Sequence, residues 1–169
     1  TQGVSSAASD VYKRQVVHHL WQGYSASHRV SFVSVPFEGV INEIQQRVPA
    51  GLAGVVLKRM MLRAANRVAA RARVPALITG DALAQVSSQS LTNLRLIDAV
   101  SERPILRPLI ASDKQVIIDD ARRIGTAHYA EGLPEYCGAV SKRPNVRPRA
   151  GLVERAEVDF DFTAVSYTH

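Results

Sequence analysis

The feature that most constrains the fold is the alternation of short apolar runs with segments of helical periodicity. RVSFVSVPF (residues 29–37) alternates and is rich in Val and Phe, while PALITG (residues 75–80) and ILRPLI (residues 105–110) are short and apolar. A helical pattern follows each run, so the order of strand and helix repeats three times. Short apolar strands joined by helices indicate an α/β fold whose parallel sheet is covered on both faces.

The first two helices are bounded by apolar spacing and by a helix breaker. A helical stretch over VINEIQQRV presents four apolar residues on one face: Val40, Ile41, Ile44 and Val48. A longer helix is expected over residues 54–73, because Pro75 would stop it.

Two further helices are expected after the second and third apolar runs. The first is predicted from just after Gly80 through about Asp98. The second opens with Ser112 as N-cap and Gln115 three residues later, which is the pattern of a capping box. Gly125 is expected to end that helix.

The charge of the chain suggests a polyanionic partner. The net charge is +6 over 169 residues, and the pI is about 9.9. Clustered Lys and Arg gain free energy by releasing counterions from a phosphate backbone, although solubility alone also explains such a charge. One basic cluster recurs every fourth residue of the long helix, at Arg59, Arg63, Arg67 and Arg71. The other lies in KRPNVRPR, at Lys142, Arg143, Arg147 and Arg149, and either cluster alone is also typical of a solvated face.

Several classes of protein are disfavoured by composition. With 46% hydrophobic and 21% charged residues the chain has ordinary globular composition, and no apolar run reaches the roughly 18 residues of a membrane span. The single cysteine cannot form an internal disulfide, and no secretory signal is visible, so a cytoplasmic location is expected. His18 and His19 are adjacent and do not form a convincing metal pair.

The junction after PALIT is the strongest candidate for a binding site. Gly80 would let backbone N–H groups approach an anion or a nucleotide closely, although an isolated glycine is also a common turn residue. Six amide or hydroxyl side chains then lower the helix propensity, which favours a polar ligand or a buried network: Gln85, Ser87, Ser88, Gln89, Thr92 and Asn93. Lys58 could carry its ammonium group to a phosphate, or could simply be solvated.

Cys137 is the only thiol in the sequence and lies in LPEYCGAV. A lone cysteine is usually a small buried hydrophobe. In a loop near Lys142 and Arg143, however, its pKa could be lowered enough for a role as a nucleophile or redox centre.

The two ends of the chain read differently from its middle. TQGVSSAASDVYKRQ has no consistent period, and the final residues follow DFDF abruptly. We expect residues 1–15 to be a non-native leader, residues 16–163 to be the authentic segment, and residues 164–169 to be a non-native tail.

Four motifs, taken in order and spacing, carry a resemblance to a known family. They are VVLKRMMLRAANRVA, ALITGDALAQVSSQSLTNLRLID, ILRPLIASDK and LPEYCGAVSKRP. Together they resemble the ATP-pyrophosphatase domain of the tRNA 4-thiouridine synthetases, also called the ThiI thiamine biosynthesis family, over most of the chain. The resemblance implies a Rossmann-like parallel sheet of the PP-loop ATP-pyrophosphatase type, in which the first strand and helix, and with them the pyrophosphate loop, are missing.

The resemblance implies an enzyme that adenylates O4 of a tRNA uridine with ATP and Mg²⁺ and then replaces the activated oxygen with persulfide sulfur. A cysteine desulfurase supplies the sulfur, and in some bacteria the family also passes sulfur to the thiamine-pathway sulfur carrier protein. The segment alone is expected to be inactive. A rhodanese domain and a homodimer are further expectations about partners.

Site residues follow from the resemblance by position. Lys58, Gly80 and Gln89 match ATP contacts, and Cys137 matches the cysteine that resolves the persulfide, often through a disulfide with a rhodanese cysteine. For tRNA we expect contacts from five basic residues: Arg59, Arg63, Arg67, Lys142 and Arg143. Asp81 and Ala84 depart from the Glu and Gly more common in the family, which puts the local geometry in doubt.

Two other classes of function remain open at this point. One is a non-catalytic basic RNA-binding module, and the other is a different PP-loop ATPase, either a 2-thiouridylase or an amide-forming ligase. The expected loss of a central strand also predicts marginal stability or aggregation.

Overall fold

The computed structural model describes residues 6–83, 85–130, 145–158 and 160, and divides the chain into two compact units. The first unit comprises Thr1–Ser34 and Asp113–Glu135, and the second comprises Val35–Ser112 and Tyr136–His169. In chain order the described elements are α1 (Ser6–Tyr24), α2 (Glu38–Arg47), α3 (Ala53–Ala72), β1 (Leu77–Ile78), a 3₁₀ turn (Ser87–Gln89), α4 (Leu91–Asp98), β2 (Ile105–Leu106), α5 (Lys114–Arg123), α6 (Ala127–Ala130) and α7 (Ala150–Glu157).

The first unit is built from α1, α5 and α6. His19 on α1 places its Nε2 2.8 Å from the carbonyl oxygen of Ile124, just after α5. The ring of His19 also lies 5.9 Å from the ring of Tyr129 on α6. Helix α1 continues without a break through residues 15 and 16, and the predicted leader boundary there stays a prediction.

The two ends of α5 differ in how well the sequence predicts them. The capping box was wrong, because the N-cap is Asp113 and makes no side-chain capping bond. The helix therefore starts one residue later than the pattern requires, and Gln115 instead donates from Nε2 to Oδ1 of Asp119 at 3.0 Å. The predicted end is confirmed: Gly125 has a φ of +75°, and its N–H donates to the carbonyl oxygen of Arg122 at 3.1 Å.

The core of the second unit lies around α3. Val56 and Met60 on this helix are 0% exposed and belong to the same apolar cluster as Ile44 of α2, Ile97 of α4 and Val153 of α7. The predicted helices over α2 and α3 are both confirmed. Helix α3 ends at its C-cap, Arg73, whose left-handed backbone (φ 56°, ψ 38°) turns the chain before Pro75.

The sheet consists of β1 and β2, which run parallel with Leu77 opposite Ile105 and Ile78 opposite Leu106. The α/β expectation with a parallel sheet is thereby confirmed. The expectation that both faces are covered was wrong for the described residues, because Ile78 is 71% exposed and Leu106 is 51% exposed. Successive side chains of a strand point to opposite faces, and here Leu77 and Ile105 take the face that packs on the core.

Two further predictions about elements were wrong. Residues 29–37 form no strand, since β1 and β2 are the strands that the described residues contain. The helix predicted directly after Gly80 begins only at Leu91, where Ser90 is the N-cap and its side chain accepts from the N–H of Asn93. For residues 29–37, an alternating apolar pattern is not sufficient, because a strand also needs a partner strand. After Gly80, the helix starts late because hydroxyl side chains favour helix caps over helix interiors.

No helix in the described part of the chain combines the length and the apolar character needed to cross a membrane.

Candidate functional site

A single carboxylate, that of Asp81, gathers four side chains at the carboxyl ends of the two strands. Its Oδ1 accepts from Lys58 Nζ at 2.6 Å and from Gln89 Nε2 at 3.3 Å. Its Oδ2 accepts from Thr79 Oγ1 at 2.7 Å and from Arg107 Nε at 3.2 Å. The structure therefore brings together Lys58 and Gln89, two of the three predicted nucleotide contacts, next to the third, Gly80.

The elements of the second unit explain this convergence. Parallel strands end at the same edge of a sheet, so the residues after β1 and after β2 meet there. Arg107 directly follows β2, and Asp81 comes three residues after the end of β1. Lys58 reaches the carboxylate from α3, and Gln89 reaches it from the 3₁₀ turn.

Arg107 is itself held by a second carboxylate. Its Nη1 donates to Oδ2 of Asp98 at 2.9 Å, and its Nη2 donates to Oδ1 at 2.5 Å. This bidentate hydrogen bond to Asp98 raises the pKa of Arg107 against the opposing effect of burial, and the Asp98 and Asp81 charges raise it further. The Arg107 side chain is 11% exposed, so Arg107 is a fixed link between Asp98 and Asp81 rather than a mobile surface residue.

Asp81 is ionised in this setting. Burial alone would raise its pKa, but the hydrogen bonds from Lys58, Thr79 and Gln89 and the charge of Lys58 outweigh burial and lower the pKa to about 2. At neutral pH its two oxygens therefore act only as acceptors.

Gln89 has one satisfied and one unsatisfied end. Its Nε2 donates to Asp81, whereas its Oε1 is buried and has no hydrogen-bond partner among the described residues. Buried acceptors are normally paired, so an unpaired one at this edge of the sheet is suited to a ligand that donates a hydrogen bond.

Gly80 borders open space. A Cβ placed on this residue would meet no atom within 4 Å, and its backbone is not in the left-handed region. The described fold therefore does not itself require glycine here. The open space beside Gly80 is consistent with a ligand that approaches the backbone closely, which would be a reason for glycine at this position.

Asn93 of the polar run and the neighbouring Ser90 bond to the segment that precedes α7. Asn93, which is 1% exposed, donates from Nδ2 to the carbonyl oxygen of Asn145 at 3.1 Å. Ser90 Oγ donates to the carbonyl oxygen of Val146 at 2.8 Å, and the N–H of Asn145 donates to the carbonyl oxygen of Gly51 at 2.9 Å. Within the run, Asn93 is therefore buried and bonded to the protein itself, whereas Gln89 keeps an unpaired acceptor that suits a ligand.

Two of the four arginines of α3, Arg59 and Arg63, do not belong to the solvated basic face that their spacing suggests, whereas Arg67 and Arg71 are exposed. Arg59 is 6% exposed, and it donates from Nε and Nη2 to the carboxylate of Glu157 on α7 at 2.7 and 2.9 Å. Its Nη1 donates to the carbonyl oxygen of Leu96 at 2.5 Å. Arg63 donates to the same carboxylate from Nη1 and Nη2 at 3.2 and 2.8 Å. The expectation of an exposed cation is therefore wrong for Arg59, because each of its three guanidinium nitrogens already donates a hydrogen bond within the protein.

Glu157 balances these two cations in the core. Burial would raise its pKa, but the hydrogen bonds and charges of Arg59 and Arg63 lower it below the usual value. The pairing was invisible in the sequence because Glu157 lies far along the chain from α3, on a different helix.

The remaining predicted residues divide into two groups. Arg67 is exposed, and its role in binding tRNA stays a prediction. Cys137, Lys142 and Arg143 lie outside the described residues, as does Ala84.

Four residues of the site were not predicted as functional: Thr79, Asp81, Asp98 and Arg107. One signal could have found Arg107, since the rule that ligands bind beyond the carboxyl ends of parallel strands applies to ILRPLI as well as to PALITG. Among the described residues, no group of three or more His, Cys, Asp or Glu side chains is placed to hold a metal ion.

Comparisons with known proteins agree in pointing to one family. The model of a family described as thiamine biosynthesis protein (ThiI) matches residues 2–162. A tRNA sulfurtransferase of Tolumonas auensis is 55% identical over 159 residues, which cover 94% of this chain and 33% of the relative. A tRNA sulfurtransferase of Klebsiella pneumoniae is 55% identical over 160 residues, which cover 95% of this chain and 33% of the relative.

A solved structure shares the fold. The crystal structure of a 4-thiouridine synthetase in complex with RNA and with bound ATP matches with a TM-score of 0.82 and 28% identity. The match covers 92% of this chain and 41% of that chain. The chain spans about a third of the length of its curated relatives, since the matches cover 33% of both tRNA sulfurtransferases.

Proposed function

This chain belongs to the thiamine biosynthesis protein (ThiI) family, and we propose that it is part of a tRNA sulfurtransferase. The reaction uses ATP to adenylate O4 of a tRNA uridine. Sulfur from a persulfide then replaces the activated oxygen and yields 4-thiouridine. A related role passes sulfur to the sulfur carrier protein of thiamine synthesis.

One observation carries the proposal for the nucleotide site. Lys58 and Gln89 are both hydrogen-bonded to Asp81, directly after Gly80 and at the carboxyl ends of the parallel strands. The matching 4-thiouridine synthetase structure holds ATP, which supports the same ligand for this site.

Each residue has a distinct role in this proposal. Lys58, whose side chain is 17% exposed, offers an ammonium group that can act as a point charge for a phosphate. Gly80 lets the ligand approach the backbone, because no side chain fills the space beside it. Gln89 presents Oε1, a buried acceptor, to a donor of the nucleotide.

Mg²⁺ is proposed to arrive with the phosphates of ATP rather than at a protein site. Its chemistry when bound is to screen the phosphate charge as pyrophosphate leaves. The two carboxylates of the site, Asp81 and Asp98, already accept from Lys58 and Arg107. These carboxylates therefore stabilise the protein's own cations.

Cys137 is proposed to attack, as a thiolate, the inner sulfur of the persulfide on the rhodanese cysteine. A disulfide between the two cysteines forms as the sulfur–sulfur bond of the persulfide breaks, and the outer sulfur passes to C4 of the adenylated uridine, from which AMP leaves. A cysteine desulfurase supplies the sulfur, and a rhodanese domain carries the disulfide partner. For tRNA we propose contacts from Arg67, Lys142 and Arg143. Arg59 and Arg63 are left out of this set because both donate to the Glu157 carboxylate. A cytoplasmic location and a homodimer remain part of the proposal.

The test uses a chimera in which the matching third of the Tolumonas auensis relative is replaced by this chain. We expect the chimera to bind ATP and to form 4-thiouridine in tRNA, measured by calorimetry and by mercury-gel retardation of the tRNA. Lys58→Met should weaken ATP binding about 10- to 100-fold, the scale of a charge-assisted hydrogen bond. Arg95→Met is the matched control, because Arg95 is an exposed cation on α4.

The outcomes separate the alternatives. Cys137→Ser should abolish thiolation and leave ATP affinity unchanged. A chimera that binds no ATP, or whose affinity ignores Lys58→Met, would refute the nucleotide site. Salt-sensitive tRNA binding that ignores both Gln89→Ala and ATP would instead identify a non-catalytic RNA-binding module.

A further inference from the structure

The orientation of the Gln89 side-chain amide is fixed by chemistry. Nε2 lies 3.3 Å from Oδ1 of Asp81. An ionised carboxylate can only accept, so the amide must turn its NH₂ group toward Asp81 and its oxygen away. With the amide reversed, two acceptor oxygens would face each other at this distance.

The carboxylate that imposes this orientation is itself immobilised. Thr79 Oγ1 and Arg107 Nε hold its second oxygen at 2.7 and 3.2 Å. Asp98 in turn holds Arg107 through two parallel hydrogen bonds. Rotation of the Asp81 carboxyl group would break bonds on both oxygens, so the direction of the Gln89 amide is set by residues on two strand ends and α4.

The consequence appears at the other end of the amide. Oε1 of Gln89 is buried and has no partner among the described residues. A buried acceptor is destabilising until a donor reaches it, and a second acceptor placed there adds repulsion. The site therefore selects a ligand by the hydrogen-bonding character of the group that meets Oε1.

We propose that Asp81 is a positioning residue for nucleotide specificity: it locks Gln89 so that Oε1 accepts from the 6-amino group of adenine. This inference rests on the proposed function. Purines with a 6-oxo group carry an acceptor at the same position and are disfavoured. The low pKa of Asp81, about 2, keeps this orientation in place throughout the physiological range.

The experiment compares ligands in the chimera defined above. We expect ITP, which differs from ATP at the 6-position of the purine, to bind at least about 10-fold more weakly, the scale of a buried acceptor left unpaired. Asp81→Asn should reduce this preference to within about 3-fold, because an asparagine amide can donate to Gln89 and let it turn over. Asp81→Glu should restore the preference, since glutamate again only accepts.

A second variant leaves the ion pairs intact. Gln89→Met removes the amide at similar length. It should weaken ATP about 10-fold, while ITP, relieved of the repulsion at Oε1, should bind no more weakly than to the unmodified chimera. Circular dichroism verifies that each variant is folded. A merely structural role of Asp81 would weaken both nucleotides equally and leave their ratio unchanged.

The outcomes distinguish the inference from the function on which it rests. If the chimera binds ATP but Asp81→Asn leaves the ATP to ITP ratio unchanged, the inference is wrong and the proposed function stands. If 2′-deoxy-ATP rather than ITP loses affinity, the donor is a ribose hydroxyl and the assignment to the base is overturned. If no nucleotide binds, the proposed function itself fails.

Discussion

Asp81 illustrates how one side chain can organise a site without being its most reactive group. It lies between two cations, Lys58 and Arg107, and its side chain is 12% exposed. A carboxylate in this position neutralises charge that would otherwise repel within the site, and it fixes the direction of every donor that reaches it. Both effects depend on its ionisation.

We therefore predict that Asp81 makes the stability of the chain depend on pH in the acid range. Its pKa is about 2 in the folded state, against 3.8 for an unperturbed aspartate side chain. Because the pKa is lower in the folded state, the ionised carboxylate stabilises the fold fully when the pH is above the pKa of the unfolded chain. This stabilisation is lost as pH falls from about 4 to about 2. After allowance for solvent screening, the loss should be about 1–2 kcal/mol.

The measurement is urea unfolding of the 169-residue chain at pH 5 and at pH 2.5, compared with Asp81→Asn. Taking the difference between the two proteins removes the contribution of the other carboxylates, including Glu157. The wild-type advantage at pH 5 should shrink at pH 2.5. An advantage of equal size at both values would show that the ionisation of Asp81 does not stabilise the fold.

At the scale of elements, α3 joins the core to the site. One face buries Val56 and Met60, while Lys58 reaches Asp81 and Arg59 reaches Glu157. The pair between Arg59 and Glu157 ties α3 to α7, and the bond from Arg59 to the Leu96 carbonyl ties α3 to α4. The position of Lys58 is thereby fixed by the adjacent residue of the same helix.

This arrangement predicts that Glu157→Gln is strongly destabilising. The change leaves the Arg59 guanidinium, which is 6% exposed, without a compensating charge, and an uncompensated buried charge costs about 3–5 kcal/mol. Glu154→Gln is the matched control, because Glu154 is exposed on the same helix. In urea unfolding, the midpoint should fall for Glu157→Gln. For the control, the free energy of unfolding should stay within about 0.5 kcal/mol of the unmodified chain. Equal midpoints would contradict a stabilising role for the pair.

The predictability of the elements follows the range of the interactions that form them. Helices α2 and α3 could be bounded because apolar spacing and Pro75 act locally. Residues 29–37 have the local pattern of a strand and yet form none, since a strand also needs a partner. Similarly, the basic spacing of α3 gave no hint of Glu157, which is distant in sequence.

The site was predictable to a similar degree. Lys58, Gly80 and Gln89 could be named from the resemblance of local motifs to a family. Asp98 could not be named in this way. Arg107 lies beyond the carboxyl end of ILRPLI, where the strand-end rule points, but its contact with Asp81 depends on two parallel strands ending at the same edge. The convergence on Asp81 is therefore a property of tertiary structure.

At the scale of the whole molecule, the sheet has an uncovered side in the described residues. Ile78 and Leu106 are register partners, and they are 71% and 51% exposed. The N–H of Leu77 donates to the carbonyl oxygen of Pro104, just before β2, and the N–H of Thr79 donates to that of Leu106, so the N–H of Ile78 points toward the other edge of β1. Adjacent apolar side chains beside an open strand edge favour association between chains.

We predict that the 169-residue chain self-associates with increasing concentration, and that Ile78→Lys reduces this association. A charge on the exposed face opposes the stacking of sheets, and an exposed position tolerates it with little change in stability. Val158→Lys is the matched control, because Val158 is 73% exposed but directly follows α7 and belongs to neither strand. Sedimentation velocity over a series of concentrations measures the effect. If the wild-type chain remains monomeric at every concentration, the prediction is wrong. If both variants reduce association equally, general surface charge explains the association, and the sheet is not the surface responsible.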